Sequence, residues 1–140
     1  MSRDSTMKHL TTNVTPAGSA LAGAGAALIA VIGLVHWIDM PSSFQDAPYK
    51  GLLFLLNGIA AVVVVYGIAQ ASRWSWLLGI LVAGGALVGY VISRTIGLPG
   101  IPPDDWLDPL GILSLVVEVG FLLVAFSVLR QPTRPAPTEP

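Results

Sequence analysis

The chain contains no cysteine. Disulfides, iron–sulfur clusters and thiolate metal sites are therefore excluded. Charge is also scarce: Asp, Glu, Lys and Arg make up 11% of the 140 residues, against about 25% in soluble domains. A surface with so little charge cannot be mostly wet. Inside the long apolar runs acids are rarer still, and Glu118 stands alone there. Histidine occurs twice, as His9 and His36, so a bis-histidine haem site would have to draw on the polar N-terminal tail. A net charge of −1 argues against a nucleic-acid partner. No phosphate-cradling glycine loop and no nucleophile paired with a base can be found, so the sequence reads as non-enzymatic.

Long apolar runs are what the chain does have. They cover about 17–38, 51–70, 74–96 and 109–130, each close to the ~20 residues a bilayer requires. Spans of this length without alternation form helices. The first is too long for the apolar core of a signal peptide. The expected fold is all-α: a four-transmembrane-helix up-and-down bundle over residues 17–130, between an N-terminal tail (1–16) and a Pro-rich, disordered tail (131–140). Pro41 sets the end of the first helix, because the residue before proline avoids the helical region. Residues 71–73 leave room only for a tight turn, which makes helices 2 and 3 antiparallel neighbours. Asp108-Pro109 reads as an N-cap followed by proline at the first helical position. Small residues at Ser19, Gly23 and Ala27, and the pair Gly85 and Gly89, are the expected faces for close helix contact.

Orientation follows from Lys and Arg. With both termini in the cytoplasm, the inner side holds Arg3, Lys8, Arg73, Arg130 and Arg134, and the outer side Lys50 and Arg94, five against two. Trp37, Tyr49 and Trp106 then form an outer aromatic belt, and Trp74 and Trp76 an inner one. The outer segments also carry Asp39, Asp46, Asp104, Asp105 and Asp108, so that face is anionic.

Each helix contributes one strongly polar residue: His36, Asn57, Arg94 and Glu118. At a rise of ~1.5 Å per residue, His36 and Arg94 lie roughly 4 Å below the outer ends, Asn57 about 10 Å and Glu118 about 14 Å. Side chains lean toward the N-terminus of their own helix. The first two therefore lean inward and the last two outward, and all four converge in one half of the bundle. Helical spacing adds Tyr90 beside Arg94, Ser114 beside Glu118, and Asp39 beside His36, and Ser93 adjoins Arg94 in sequence. A charge at the bilayer centre costs about 3 kcal/mol on insertion scales. Glu118 is therefore expected to pair with Arg94, directly or through water, or to carry a proton. His36, Asp39 and Glu118 are acceptable ligand types for zinc, iron or copper, but no HxxxH or ExxH spacing supports a metal site. No cofactor is indicated.

These residues resemble a pattern in a family of uncharacterised small bacterial four-helix membrane proteins. The pattern is a histidine closing helix 1 (His36), the start Gly51-Leu52-Leu53-Phe54-Leu55, the segment Ser93-Arg94-Thr95-Ile96-Gly97-Leu98-Pro99 ending helix 3, and a glutamate in helix 4 (Glu118). It covers about residues 30–125. Some members continue with Pro-Phe-Gly-Pro where this chain has Pro99-Gly100-Ile101-Pro102, so the loop is expected to differ. The resemblance implies a four-helix protein of the bacterial inner membrane, and it carries no activity.

The expected function is a non-enzymatic membrane protein whose polar cluster binds a small ligand or cation, or titrates. The alternative is an accessory subunit of a larger membrane complex, in which the cluster serves only helix packing. The bilayer is the expected partner, with a homo-oligomer or a membrane complex beyond it. Transport would need an oligomer, since four short helices leave little room for a pathway. The orientation has a direct check. Cysteines introduced at Ser5 and Thr138 should react with a membrane-impermeant maleimide only after the cytoplasmic side is opened, and labelling from outside would reverse the topology.

Overall fold

The computed structural model of the protein describes residues 16–131. Both expected tails lie almost wholly outside these residues, as do His9 and the basic residues Arg3, Lys8 and Arg134. Four helices make up the bundle: α1 (Pro16–Asp46), α2 (Pro48–Ala69), α3 (Arg73–Thr95) and α4 (Pro109–Leu129). All four are long and apolar enough to cross a membrane. The architecture is an all-α four-helix bundle. α1 packs on α2 and α4, and α3 packs on α2 and α4, so α1 and α3 occupy opposite corners. The outward faces are apolar: Leu34, Val62, Val88, Val116 and Leu123 are all exposed, as lipid-facing side chains would be.

Helix α1 runs well past its expected end. Pro41 lies inside it, and the helix continues to Asp46. Proline removes one backbone hydrogen bond, and tertiary contact outweighs that loss. In the added turns Ser43 is fully buried, and the Phe44 ring lies directly over Gly51, where any side chain would collide with it. At ~1.5 Å per residue, the 31 residues of α1 span roughly 46 Å. That exceeds the ~30 Å hydrocarbon core, so the end bearing Asp39 and Asp46 projects beyond it. Only Ala47 then separates α1 from α2, which starts with proline at its first position.

The core fills the end of the bundle that holds the α2–α3 turn. Ile29, Val64, Ala83, Phe121 and Ala125 are almost completely buried there. Trp76 belongs to this core rather than to an interfacial belt: it is 5% exposed and stacks on Phe121 with ring centroids 5.9 Å apart. Trp74, at 79% exposed, does face outward. Glycines make this packing close. Trp76 lies over Gly25, Phe121 over Gly79, and Ser75 over Gly67. A Cβ at Gly33 would come within 2.7 Å of that of Ala61.

The glycines expected to mediate close contact do something else. A Cβ added at Gly85, Gly89 or Gly23 would meet nothing within 4 Å, and Ser19, Gly23 and Ala27 lie on an exposed face. A small-residue spacing marks a face where backbones could approach, but it does not specify which face the neighbour occupies. Gly79→Leu should therefore lower stability in detergent by about 1–3 kcal/mol or more, as overpacking does. Gly85→Leu should leave the melting temperature unchanged or slightly raised, because leucine is the better helix former. Equal losses in the two variants would contradict this packing.

Candidate functional site

At the end opposite the core the four helices separate around a cavity of about 840 Å³. All eight polar residues singled out from the sequence line it: His36, Asp39, Asn57, Tyr90, Ser93, Arg94, Ser114 and Glu118. Gly85, Ala86 and Gly89 of α3 form part of its wall, and this is why nothing meets a Cβ there. The same absence of side chains that would let two helices touch here leaves room between them.

The rim is built by the α3–α4 connection. Gly97, at φ +80°, ends α3, and its N–H returns to the Ile92 carbonyl at 3.1 Å. Any side chain at Gly97 would collide with the Ile101 carbonyl. Leu98-Pro99-Gly100-Ile101 closes as a turn, with Gly100 at φ +79° and reciprocal backbone hydrogen bonds of 3.0 and 2.8 Å between Leu98 and Ile101. Proline then glycine is the sequence of a type II turn. Three further hydrogen bonds tie the connection down: Asp104 N–H to Ser93 O (2.9 Å), Tyr90 Oη to Trp106 O (2.9 Å), and Tyr49 Oη to Pro99 O (2.8 Å). Asp108 caps α4 as expected, its carboxylate accepting from Gly111 N–H at 2.7 Å.

Arg94 points into this connection. Its guanidinium lies 3.9 Å from the centre of the Tyr90 ring and donates to Ser93 Oγ at 2.8 Å. Its acidic partners are Asp104 at 3.7 Å and Asp108 at 3.8 Å. Gly111 fits against it because a Cβ there would approach both Tyr90 and Arg94 within 3 Å. Lys50 completes the rim, 2.6 Å from Asp46 and 3.8 Å from Asp104.

Of the expected arrangements, a direct Arg94–Glu118 ion pair is not formed. Acids close to Arg94 in sequence and already at the bundle end satisfy it without desolvating a second carboxylate. The run Asp104-Asp105-Trp106-Leu107-Asp108 carried the signal: it follows Arg94 within one short connection. Glu118 lies deeper and is 1% exposed. Its Oε1 accepts from Ser114 Oγ at 2.6 Å, the contact that the spacing of four residues predicts. Its Oε2 has no hydrogen-bond partner among the described residues. Two other buried atoms of the cavity wall share that condition, Asn57 Oδ1 and Arg94 Nε.

His36 is 7% exposed and packs on Phe54 with ring centroids 4.9 Å apart. Its Nδ1 faces the Ile32 carbonyl at 2.8 Å, so Nδ1 is the donor. Asp39 accepts from Ser42 Oγ at 2.7 Å. Among the described residues no group of three or more His, Asp or Glu side chains converges as a metal site would require, so His36, Asp39 and Glu118 do not form a ligand set.

Double-mutant cycles on stability in detergent distinguish these pairings. Arg94→Ala with Asp108→Ala should show a coupling of about 0.5–1 kcal/mol, as partly exposed ion pairs do. Arg94→Ala with Glu118→Gln should be additive to within about 0.5 kcal/mol. A larger coupling to Glu118 than to Asp108 would restore the discarded pair.

No protein-family model matches the chain, and no curated protein or solved structure matches it.

Proposed function

We propose that this membrane protein binds a small organic molecule in the cavity between its helices, without catalysing a reaction. The observation that carries this reading is the set of buried polar atoms without protein partners, Glu118 Oε2, Asn57 Oδ1 and Arg94 Nε, in the wall of a single cavity. An unmade hydrogen bond on a buried polar group costs about 1–3 kcal/mol, and ligand groups can recover it. A volume of about 840 Å³ lies within the ~300–1,000 Å³ typical of small-molecule sites. Most of the wall is apolar, and a few polar groups enter from different helices, which is how such sites fix orientation.

Counted along the sequence, Arg3, Lys8, Arg73, Arg130 and Arg134 against Lys50 and Arg94 support a cytoplasmic location for both termini. The cavity then opens at the outer face. The alternative reading, a polar cluster that serves only packing within a larger complex, draws support from Arg94. Its contacts with Tyr90, Ser93, Asp104 and Asp108 suffice to hold the α3–α4 connection in place. It does not account for Glu118, whose carboxyl holds no second element.

Native mass spectrometry of the protein, extracted with its own lipids in mild detergent, tests the proposal. A bound molecule of defined mass is expected on the wild type and absent from Gly85→Leu/Gly89→Leu, whose new side chains fill the cavity and leave the core intact. An empty wild-type protein, or a ligand retained in the filled variant, contradicts it. A stoichiometric partner protein in place of a small molecule would favour the accessory-subunit reading.

A further inference from the structure

We infer that the ligand is an apolar amine, bound as an ammonium ion with the Glu118 carboxylate as its counter-charge. This rests on the reading of the cavity as a binding site and names the class of molecule that fits it. The unpartnered buried atoms of the deep wall are acceptors. Glu118 Oε2 and Asn57 Oδ1 accept hydrogen bonds and have no donor among the described residues. Two acceptors, one on α2 and one on α4, thus belong to the cavity wall with no matching donor among the described residues. A ligand that satisfies them must carry N–H groups.

Charge narrows the class further. Two cations line the cavity, and both are engaged at the rim: Lys50 with Asp46 and Asp104, and Arg94 with Asp104 and Asp108. No Lys, Arg or His nitrogen lies within 4.0 Å of the Glu118 carboxylate among the described residues. Ionised, the one deep carboxyl would take its counter-charge from the ligand. Across the rim, Asp39, Asp104, Asp105 and Asp108 outnumber Lys50 and Arg94, a balance that attracts cations and repels anions. Arg94 Nε is the single orphan donor, and it belongs to a guanidinium already flanked by two acids.

A bare inorganic ion lacks a ligand set, because among the described residues no three His, Asp or Glu side chains converge as a metal site would require. Leu53, Leu56, Ala60, Leu81 and Ala86 supply no oxygen or nitrogen side-chain ligand, and a metal ion requires several. They suit an apolar body instead. The molecule that meets all of these constraints has an apolar body and a protonated amine.

Three probes with one body separate the possibilities: 4-phenylbutylammonium, 4-phenylbutanol and 4-phenylbutyrate. Each is titrated calorimetrically against the full-length protein in lipid nanodiscs, with empty nanodiscs as the blank. The ammonium ion should bind at least about tenfold more tightly than the alcohol, a difference of ~1.4 kcal/mol, and the carboxylate most weakly. Glu118→Gln should reduce ammonium binding to the level of the alcohol, while alcohol binding stays within about twofold of wild type. Unchanged alcohol binding also shows that the variant is folded. Equal binding of alcohol and ammonium by the wild type, tightest binding of the carboxylate, or an ammonium preference that survives Glu118→Gln each overturns the assignment and leaves the cavity reading standing. Binding of none of the three above the blank overturns the cavity reading itself, and this inference with it.

Discussion

An arginine near the end of a membrane-spanning helix must be neutralised, and the way this chain does so decides the rest of the site. Arg94 lies in the last turn of α3, where the helix dipole favours a cation. It could have reached across the bundle to Glu118. Instead, the α3–α4 connection folds back over it and brings Asp104 and Asp108 into contact. This solution is local and sits at the bundle end, so it avoids the desolvation of a fully buried ion pair. It has two consequences. The connection is fixed in place as a rim, and Glu118 is left without a counter-charge among the described residues.

The two ends of the bundle are built on opposite principles. At the α2–α3 turn, glycines admit large aromatic rings: Gly25 receives Trp76 and Gly79 receives Phe121. The helices interlock there. At the other end, Gly85 and Gly89 receive nothing, and the gap between helices remains open. One residue type thus serves tight packing at one end and volume at the other. The closed end can hold the helices while the open end keeps its cavity, so filling the cavity and loosening the core are separable changes.

Much of this was legible in the sequence, for identifiable reasons. Hydrocarbon leaves few choices, so four apolar runs of the right length give four helices. Helical periodicity gives contacts between residues four apart, and Tyr90 with Arg94 and Ser114 with Glu118 both meet. Capping is equally local, and Asp108 caps α4. The features that could not be read depend on tertiary arrangement. Pro41 appears to the eye as a stop only until Phe44 is seen packed over Gly51. Trp76 looks interfacial by position, and the rotation of α3 turns it inward onto Phe121. Spacing shows that Gly85 and Gly89 share a face but not that the face meets a cavity. Depth and side-chain lean place Arg94 and Glu118 at similar levels, and they take no account of nearer acids that compete for the guanidinium.

The central claim is that the cavity runs from the charged rim to a carboxyl that the rest of the protein encloses. The absence of native cysteine makes one measurement especially direct. Glu118→Cys and Ala83→Cys place a single thiol at two positions of nearly equal burial, 1% and 0% exposed. Only the first lines the cavity. Reaction with a small water-soluble cationic methanethiosulfonate, followed by mass spectrometry, should modify the thiol at position 118 readily and leave that at position 83 intact. Equal inertness of the two thiols would show that no path leads to Glu118 and would contradict the account.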